Sequence, residues 1–242
     1  MSFVITLTTQ EGIVMASDSR LTINGIRQLD GNPVIDPAVS QSDTSYKTFL
    51  ASGAFGISTF GAATVQGVPL SGYIDAFILE KITSSTSIEG IPELLISYMK
   101  SLPELIDAGF HVAGYTIKEG KKAPYVSRVF PINGKVDNVV PSQQLREASW
   151  DGESDVMVRI LNPFLFIRDA DGKYNQLPNY GIPFDMFTLQ DAIDFAVYAV
   201  RATSDTMRFQ LRYKTVGGPV DVLVIQPEQA TWLQRKILHL DS

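Results

Sequence analysis

Short apolar runs separated by turn-forming residues recur along most of the chain, and they predict a strand-rich fold. Near the N-terminus, the segments 3–9 and 13–17 flank Gln10-Glu11-Gly12, which is typical of a turn between two paired strands. Two alternating segments around Glu119-Gly120-Lys121-Lys122 predict a hairpin in the same way. The predicted strands are 3–9, 13–17, 46–50, 54–60, 110–118, 124–129 and 219–225.

Helical periodicity is clearest over 188–203, where apolar residues recur at 189, 192, 193, 196, 197 and 200. Thr188 stands three residues before Asp191, as expected of an N-cap. For a helix over 62–82, Gly67 and Pro69 predict an irregular start. The other predicted helices are 91–101, 154–161 and 228–239. The polar segment 30–45 contains two prolines and predicts a loop.

The order of these elements favours antiparallel sheets with helices outside them, because consecutive strands pair directly and βαβ units are not apparent. The predicted class is therefore a layered α+β fold. No repeat, low-complexity segment or linker divides the sequence, and we expect a single domain over 1–242.

The composition excludes several kinds of chemistry. The 242 residues include no cysteine, so disulfides, thiolate nucleophiles and Cys-ligated metals are excluded. Only His111 and His239 are available as imidazoles, and we expect neither to have a chemical role. The net charge of −6, without a basic cluster, argues against nucleic-acid binding. No segment is typical of a membrane span or a secretory signal, so we expect a cytoplasmic protein.

Ser2 offers one route to an activated hydroxyl in a chain of this composition. Removal of Met1 would place a hydroxyl and a free α-amine on the same residue. The α-amine has an ordinary pKa of about 7.7–8.0, so it can serve as the general base for its own hydroxyl.

The segment 12–20 (GIVMASDSR) resembles the Gly-x-x-x-Ala-x-Asp-Ser-Arg signature of proteasome β subunits and the HslV peptidase. These proteins are N-terminal-nucleophile hydrolases with a four-layer αββα sandwich of two antiparallel sheets flanked by helices. Their Asp follows the nucleophile by sixteen residues, and Asp18 follows Ser2 by the same interval. The resemblance therefore implies this fold, and it places Ser2 on the nucleophile position, where the family usually has Thr.

A second part of the resemblance lies at Lys47 and Gly61. The family has a Lys near the nucleophile and, fourteen residues later, a Gly that opens the first long helix; the same interval separates Lys47 from Gly61. By this resemblance, Lys47 stabilises charge and lowers the pKa of the nucleophile, and the Gly61 N–H is the oxyanion donor. The implied catalytic residues are Ser2, Asp18, Arg20, Lys47 and Gly61.

The C-terminal part is most similar to Anbu, the bacterial proteasome-related family. The similarity lies in the segment 205–208 (DTMR), then 215–221 (TVGGPVD), between a long helix and a strand. The chain departs from the proteasome pattern at Tyr213 and Val216, where β subunits have a supporting Asp and Ser. Asp205 is a candidate substitute for that Asp from another place, and Ser149 and Ser154 are alternative candidates for a further supporting Ser. About a dozen extra residues lie within 25–45, and we expect them to form a loop near the substrate cleft.

The sequence leaves three functional hypotheses. The first is an N-terminal-nucleophile amide hydrolase, a proteasome-like threonine/serine-type peptidase that acts on peptides or unfolded proteins. The second is a catalytically inactive structural subunit on the same fold, and the third is a small-molecule amidase. The resemblance implies a homo-oligomer, as a closed or open ring. HslV works with an ATPase unfoldase, but no feature of this sequence identifies a docking partner. No cofactor and no metal are implied.

Overall fold

The computed structural model describes residues 2–29, 32–139, 148–161, 166–178 and 180–238. Four helices are present in these residues: α1 (Leu70–Lys81), α2 (Ile91–Ser101), α3 (Asp155–Leu161) and α4 (Leu189–Phe209). The strands are β1 (Phe3–Thr8), β2 (Ile13–Ser17), β3 (Leu21–Leu29), β4 (Asn32–Ser42), β5 (Thr48–Ala51), β6 (Phe55–Gly61), β7 (Thr64–Val65), β8 (Val68–Pro69), β9 (Ala108–Lys118), β10 (Lys121–Phe130), β11 (Lys135–Asn138), β12 (Ala148–Gly152), β13 (Phe166–Arg168), β14 (Tyr174–Gln176), β15 (Asp221–Ile225) and β16 (Ala230–Gln234).

Ten of the strands form two five-stranded antiparallel sheets. The first sheet has the order β12-β1-β2-β15-β16, and the second has the order β11-β10-β9-β6-β5. The remaining pairs are the separate hairpins β3-β4, β7-β8 and β13-β14. The fold is therefore mixed α+β with mostly antiparallel sheets, as the order of the predicted elements indicates. His239 and the last three residues lie outside the described residues.

Three clusters of buried side chains account for the core. One joins the second sheet to α1 and α2 through residues such as Phe77, Leu95 and Phe110. Another joins the first sheet to α4 and includes Ala192, Ala196 and Val200 at the periodic positions of that helix; Phe3, Ile5 and Leu7 from β1 complete its apolar contact. A third cluster combines side chains of both sheets, with Met15 and Leu223 from the first and Ala113 and Val126 from the second. Burial of apolar surface on both faces of each sheet explains why β1 and β2 are apolar at nearly every position.

Several predicted elements are confirmed. Helix α2 has the predicted bounds, the hairpin β9-β10 is present, and α3 lies in the predicted segment. Helix α4 begins after Thr188, whose side chain accepts from the Asp191 N–H while Asp191 accepts from the Thr188 N–H. The helix continues to Phe209, six residues beyond the predicted end. No helix among the described residues is long and apolar enough to cross a membrane.

The loop prediction for 30–45 is wrong, because residues 32–42 form β4, which pairs with β3. Prolines disfavour strands because they lack an N–H donor, but an isolated hairpin tolerates them where no ladder bond is needed. Pro33 lies near the turn, opposite Gln28, and Pro37 lies where the register shifts between Ile23 and Gly25. The insertion is therefore a β-hairpin, with residues 30 and 31 outside the described part.

Two helix predictions also need correction. The helix predicted from Ala62 begins only at Leu70, because the two-residue strands β7 and β8 turn back on each other at Gln66-Gly67. The helix predicted over 228–239 is wrong, because the described part of this segment contains the strand β16 (Ala230–Gln234) instead. Pairing of β16 with β15 outweighs the helix-like pattern of this segment. A tight turn joins the two strands, and in it the backbone N–H of Gln226 and that of Gln229 each donate to the carbonyl of the other residue. Tertiary pairing at an open sheet edge outweighs local propensity here.

Candidate active site

Ser2 lies at the start of β1 and is only 3% exposed. Its carbonyl oxygen accepts a hydrogen bond from the Glu153 N–H at 2.8 Å. Gly152, opposite Phe3 on β12, has φ +90°, and a Cβ on this residue would lie 1.8 Å from the Ser2 oxygen. Only glycine permits this approach, so β12 fixes the backbone of Ser2.

Asp18 is the centre of the site, and it is completely buried. One carboxylate oxygen, Oδ1, accepts from the Phe3 N–H at 3.0 Å and from Lys47 Nζ at 2.7 Å. The other, Oδ2, accepts from the N–H groups of Arg20 at 3.1 Å and Gly217 at 3.0 Å. Four donors thus compensate the burial of one charge. The residue after Ser2 and the candidate lysine thus share one oxygen of Asp18.

Lys47 immediately precedes β5 and is 3% exposed. Burial lowers the pKa of its ammonium group, and the neighbouring Asp18 carboxylate opposes that shift. The Lys47 carbonyl accepts from the Thr59 N–H on β6 at 2.8 Å. This backbone bond places Lys47 beside the end of β6 that carries Gly61.

Arg20 does not pair with Asp18 through its side chain. Its guanidinium binds both carboxylate oxygens of Asp43, at 2.6 and 2.7 Å, and donates to the Lys214 carbonyl at 3.2 Å. The Arg20 hydrogen bond is the main cause that lowers the pKa of Asp43. A Cβ on Gly217 would lie 2.5 Å from the Arg20 guanidinium carbon. Arg20 therefore packs on the 214–217 segment, which delivers the Gly217 N–H to Asp18.

Gly61 ends β6 and has φ +87°, and a Cβ there would lie 2.5 Å from the Asp107 carbonyl oxygen. It does not open a helix, since α1 begins nine residues later, so the expectation that Gly61 opens the first long helix is wrong. Successive N–H groups of a strand alternate in direction. The Ala62 N–H donates to the Asp107 carbonyl, on the side of β9, whereas the Thr59 N–H donates to the Lys47 carbonyl on the opposite side. Because Gly61 is two residues after Thr59, its N–H lies on the same side as that of Thr59, which faces Lys47.

A cavity of about 10 Å³ adjoins Ser2 and has room for a single water molecule. Thr59 is 6% exposed in this cavity, and its Oγ1 has no hydrogen-bond partner among the described residues. The lining residues are Ser2, Ser45, Tyr46, Lys47, Thr59, Ala62, Ala63, Leu70 and Ser71. Gly61 borders a larger cleft of about 590 Å³ that also includes Thr22 and Asn24 of the β3-β4 hairpin. The hairpin that contains the predicted insertion therefore borders this cleft through the first residues of β3.

The proposed substitutes for the family's supporting Asp and Ser are not part of this cavity. Asp205 is exposed on α4, and Tyr213 is 53% exposed. Val216 is buried and apolar. Ser149 faces Thr6 across β1 and β12, and Ser154 follows β12; neither lines the Ser2 cavity as the structure describes it.

Sequence reasoning missed two buried polar networks between the sheets. Thr48 bonds both Ser17 at 2.8 Å and Ser58 at 2.9 Å, and all three side chains are fully buried. His111, for which we expect no chemical role, is also fully buried and bonds Thr6 at 2.9 Å and Asp151 at 2.8 Å. The only sequence signal for these networks is a polar residue at a position that the strand pattern predicts to be buried.

Comparison with known proteins assigns no family to this chain. No protein-family model matches it, and no curated protein matches it. Motif spacing and the geometry around Asp18 are therefore the features that indicate a function.

Proposed function

We propose that this protein is an N-terminal-nucleophile amide hydrolase, a proteasome-like threonine/serine-type peptidase that uses Ser2 after removal of Met1. One observation carries the proposal: buried Asp18 binds both the Phe3 N–H and the Lys47 ammonium through the same oxygen. This contact places a compensated positive charge beside the residue that would become the N-terminus. An ion pair with only a structural role would not require the same carboxylate oxygen to bind the backbone N–H of the residue next to a buried serine.

In the proposed reaction, Ser2 Oγ bonds to the amide carbonyl carbon of the substrate and gives its proton to the Ser2 α-amine. The α-amine passes that proton to the leaving nitrogen as the C–N bond breaks, and an ester to Ser2 remains. Water then cleaves the ester and restores the hydroxyl. The Lys47 ammonium stabilises the negative charge near Oγ, and the Gly61 N–H donates to the oxyanion. Asp18 orients Lys47, and Arg20 secures the segment that completes the set of donors to Asp18.

The arrangement of the core supports the finer architecture that the resemblance implies. One buried cluster lies between the two sheets, and a separate cluster lies under the helices of each sheet. We therefore propose the layer order αββα, with Ser2 at one end of the sheet-to-sheet contact. We also retain the expectations of a homo-oligomer and a cytoplasmic location as parts of the proposal.

The test is the intact mass of natively expressed protein, before and after treatment with an epoxyketone or β-lactone probe. We expect the mass of Met1 to be missing and one probe to be attached. Ser2→Ala should abolish the adduct, whereas Ser71→Ala should retain it, because Ser71 is a second serine in the same cavity. Retained Met1 with no adduct would contradict the proposal.

The inactive structural subunit is the second candidate, and one observation favours it. Tyr213 supplies no carboxylate and Val216 supplies no hydroxyl at the positions where proteasome β subunits have the Asp and the Ser that support the nucleophile. Under this alternative, the Asp18–Lys47 pair only stabilises the fold, and a Ser2→Ala variant assembles and behaves like the wild type. Labelling of Ser2 by the probe would exclude it, and turnover of acylated amino acids without peptide cleavage would indicate the small-molecule amidase instead.

A further inference from the structure

A second buried lysine–carboxylate pair lies next to the proposed site. The side chains of Lys236 and Asp221 form an ion pair, with the lysine 3% and the aspartate 0% exposed. The Lys236 N–H also donates to Asp221 at 2.8 Å. Asp221 begins β15 and pairs in register with Ser17, the residue before Asp18. The two carboxylates therefore occupy neighbouring positions at the same end of the first sheet.

The Lys236 ammonium contacts the aromatic ring of Tyr46, and Tyr46 lines the Ser2 cavity. Lys236 Nζ lies 4.4 Å from the centre of the Tyr46 ring, and the Arg235 guanidinium lies 4.8 Å from it. Tyr46 lines the cavity and immediately precedes Lys47. Two cations on one ring hold Tyr46 in place, since each contact is favourable when the cation is partly desolvated.

A role confined to stability is a poor explanation for this pair. Burial of an ion pair costs more free energy than it returns in many proteins, and apolar residues of similar size stabilise as well or better. β16 is an edge strand, and an apolar residue after it would pack on Tyr46 without a desolvation cost. The pair instead fixes the Lys236 ammonium group at a defined position behind the cavity.

The charges around the two lysines form one coupled group. Three charged groups face Lys47: Asp18 directly after β2, Asp43 directly after β4, and Lys236 in the segment after β16. Lys236 faces Asp221, Asp18 and its neighbour Arg235. Burial lowers the pKa of both lysines, Asp18 raises both, and Lys236 lowers that of Lys47 further.

We infer that Lys236, held by Asp221, is a positioning residue of the Ser2 site, which orients Tyr46 and places a second ammonium group near Lys47 and the Ser2 α-amine. A nearby like charge makes each of these groups release its proton more easily. This inference rests on the proposed function, because the α-amine exists only after Met1 is removed. A base that loses its proton more easily is free to accept one from the Ser2 hydroxyl at a lower pH. The pair thereby extends the working range of the site towards neutral pH.

The first test measures Lys47 directly and does not depend on activity. The full chain is labelled with ¹³C,¹⁵N-lysine, the Lys47 signal is assigned with Lys47→Arg, and its titration midpoint is measured by NMR. Lys236→Met should raise this midpoint by about half a pH unit or more, because a like charge is removed. Lys236→Arg should leave it near the wild-type value, and Asp221→Asn should lower it. Lys122→Met removes an exposed lysine paired with Glu228 and should change nothing.

The second test follows the pH dependence of Ser2 labelling by the probe in the same proteins. Its acidic limb should move to higher pH in Lys236→Met and to lower pH in Asp221→Asn. An unchanged Lys47 midpoint in folded Lys236→Met overturns the inference, even if Ser2 is labelled normally. A shifted midpoint without labelling of wild-type protein at any pH supports the coupling of the lysines and contradicts the proposed function. If Lys236→Met does not fold, the double variant Asp221→Asn/Lys236→Met carries the test, with a smaller rise in the midpoint because the two substitutions act in opposite directions. No rise in the folded double variant overturns the inference.

Discussion

Asp18 Oδ1 lies 2.7 Å from Lys47 Nζ, and both side chains are almost completely removed from solvent. The pair joins the end of the first sheet to the start of β5 in the second, so it connects the two layers at the position of Ser2. Replacement of Asp18 by Asn would keep the side-chain shape and leave the Lys47 ammonium without a counter-charge. We expect Asp18→Asn to lower the free energy of unfolding by about 3–5 kcal/mol, as for other buried pairs that lose one partner.

Urea unfolding at pH 7 measures this effect, and Asp43→Asn is the matched control. Asp43 also pairs with a cation, but its side chain is 43% exposed, so solvent screening reduces the contribution of the pair to about 1 kcal/mol or less. Equal losses of unfolding free energy in the two variants would show that the greater burial of the Asp18–Lys47 pair does not increase its contribution to stability.

Gly152 should be irreplaceable because of its contact with Ser2. In Gly152→Ala the new methyl group meets the Ser2 carbonyl oxygen, and the residue also has a strained positive φ. Gly53→Ala is a suitable control, since Gly53 has φ +68° with no atom within 4 Å of an added Cβ. We expect Gly53→Ala to cost about 1 kcal/mol from strain alone.

Gly152→Ala should cost more in the same denaturant titration, and it should also reduce labelling of Ser2 in the folded protein. If the two alanine variants were equally stable and equally reactive, β12 would not control the position of Ser2.

Asp151 should make stability depend on acidity. Burial raises its pKa, but hydrogen bonds from His111 and Arg128 outweigh burial, and the net pKa lies below the usual 3.8. The folded state therefore binds the proton more weakly than the unfolded state does, and the stabilisation is complete above pH 3.8. It is lost as the pH falls through the lowered pKa.

Asp151→Asn should reduce the free energy of unfolding at pH 7 by about 1–3 kcal/mol, because charged bonds are lost. The difference from wild type should shrink as the pH falls below 3.8, and thermal unfolding over a pH series measures it. A constant difference at all pH values would contradict the assignment to Asp151.

The hydroxyl network of Thr48 should contribute to the contact between the sheets. Thr48→Val preserves the side-chain shape and leaves the buried hydroxyls of Ser17 and Ser58 without their shared partner. We expect a loss of about 1–3 kcal/mol in urea unfolding. Thr86→Val, in an exposed cluster of hydroxyls, should change stability by less than about 0.5 kcal/mol; a similar loss there would contradict this account.

Local pattern was sufficient where the physical cause is local. The capping box at Thr188 and Asp191, and the strand-like alternation of β9 and β10, depend on neighbours within a few residues. The pattern failed for β16 because a helix-like period competed with hydrogen bonds to β15, which only the assembled sheet offers. It failed for the start of α1 because the turn between β7 and β8 displaces the start of the helix from Ala62 to Leu70.

The sequence by itself determined the mixed α+β class, the absence of thiol chemistry and the intervals from Ser2 to Asp18 and from Lys47 to Gly61. Those intervals are properties of the chain and need no coordinates. Only the tertiary structure decided that Arg20 pairs with Asp43, that Lys236 faces Tyr46, and that Thr59 Oγ1 has no hydrogen-bond partner in the described part of the chain. These contacts join residues from separate strands, and their partners depend on sheet order and burial, which are collective results of packing the whole chain.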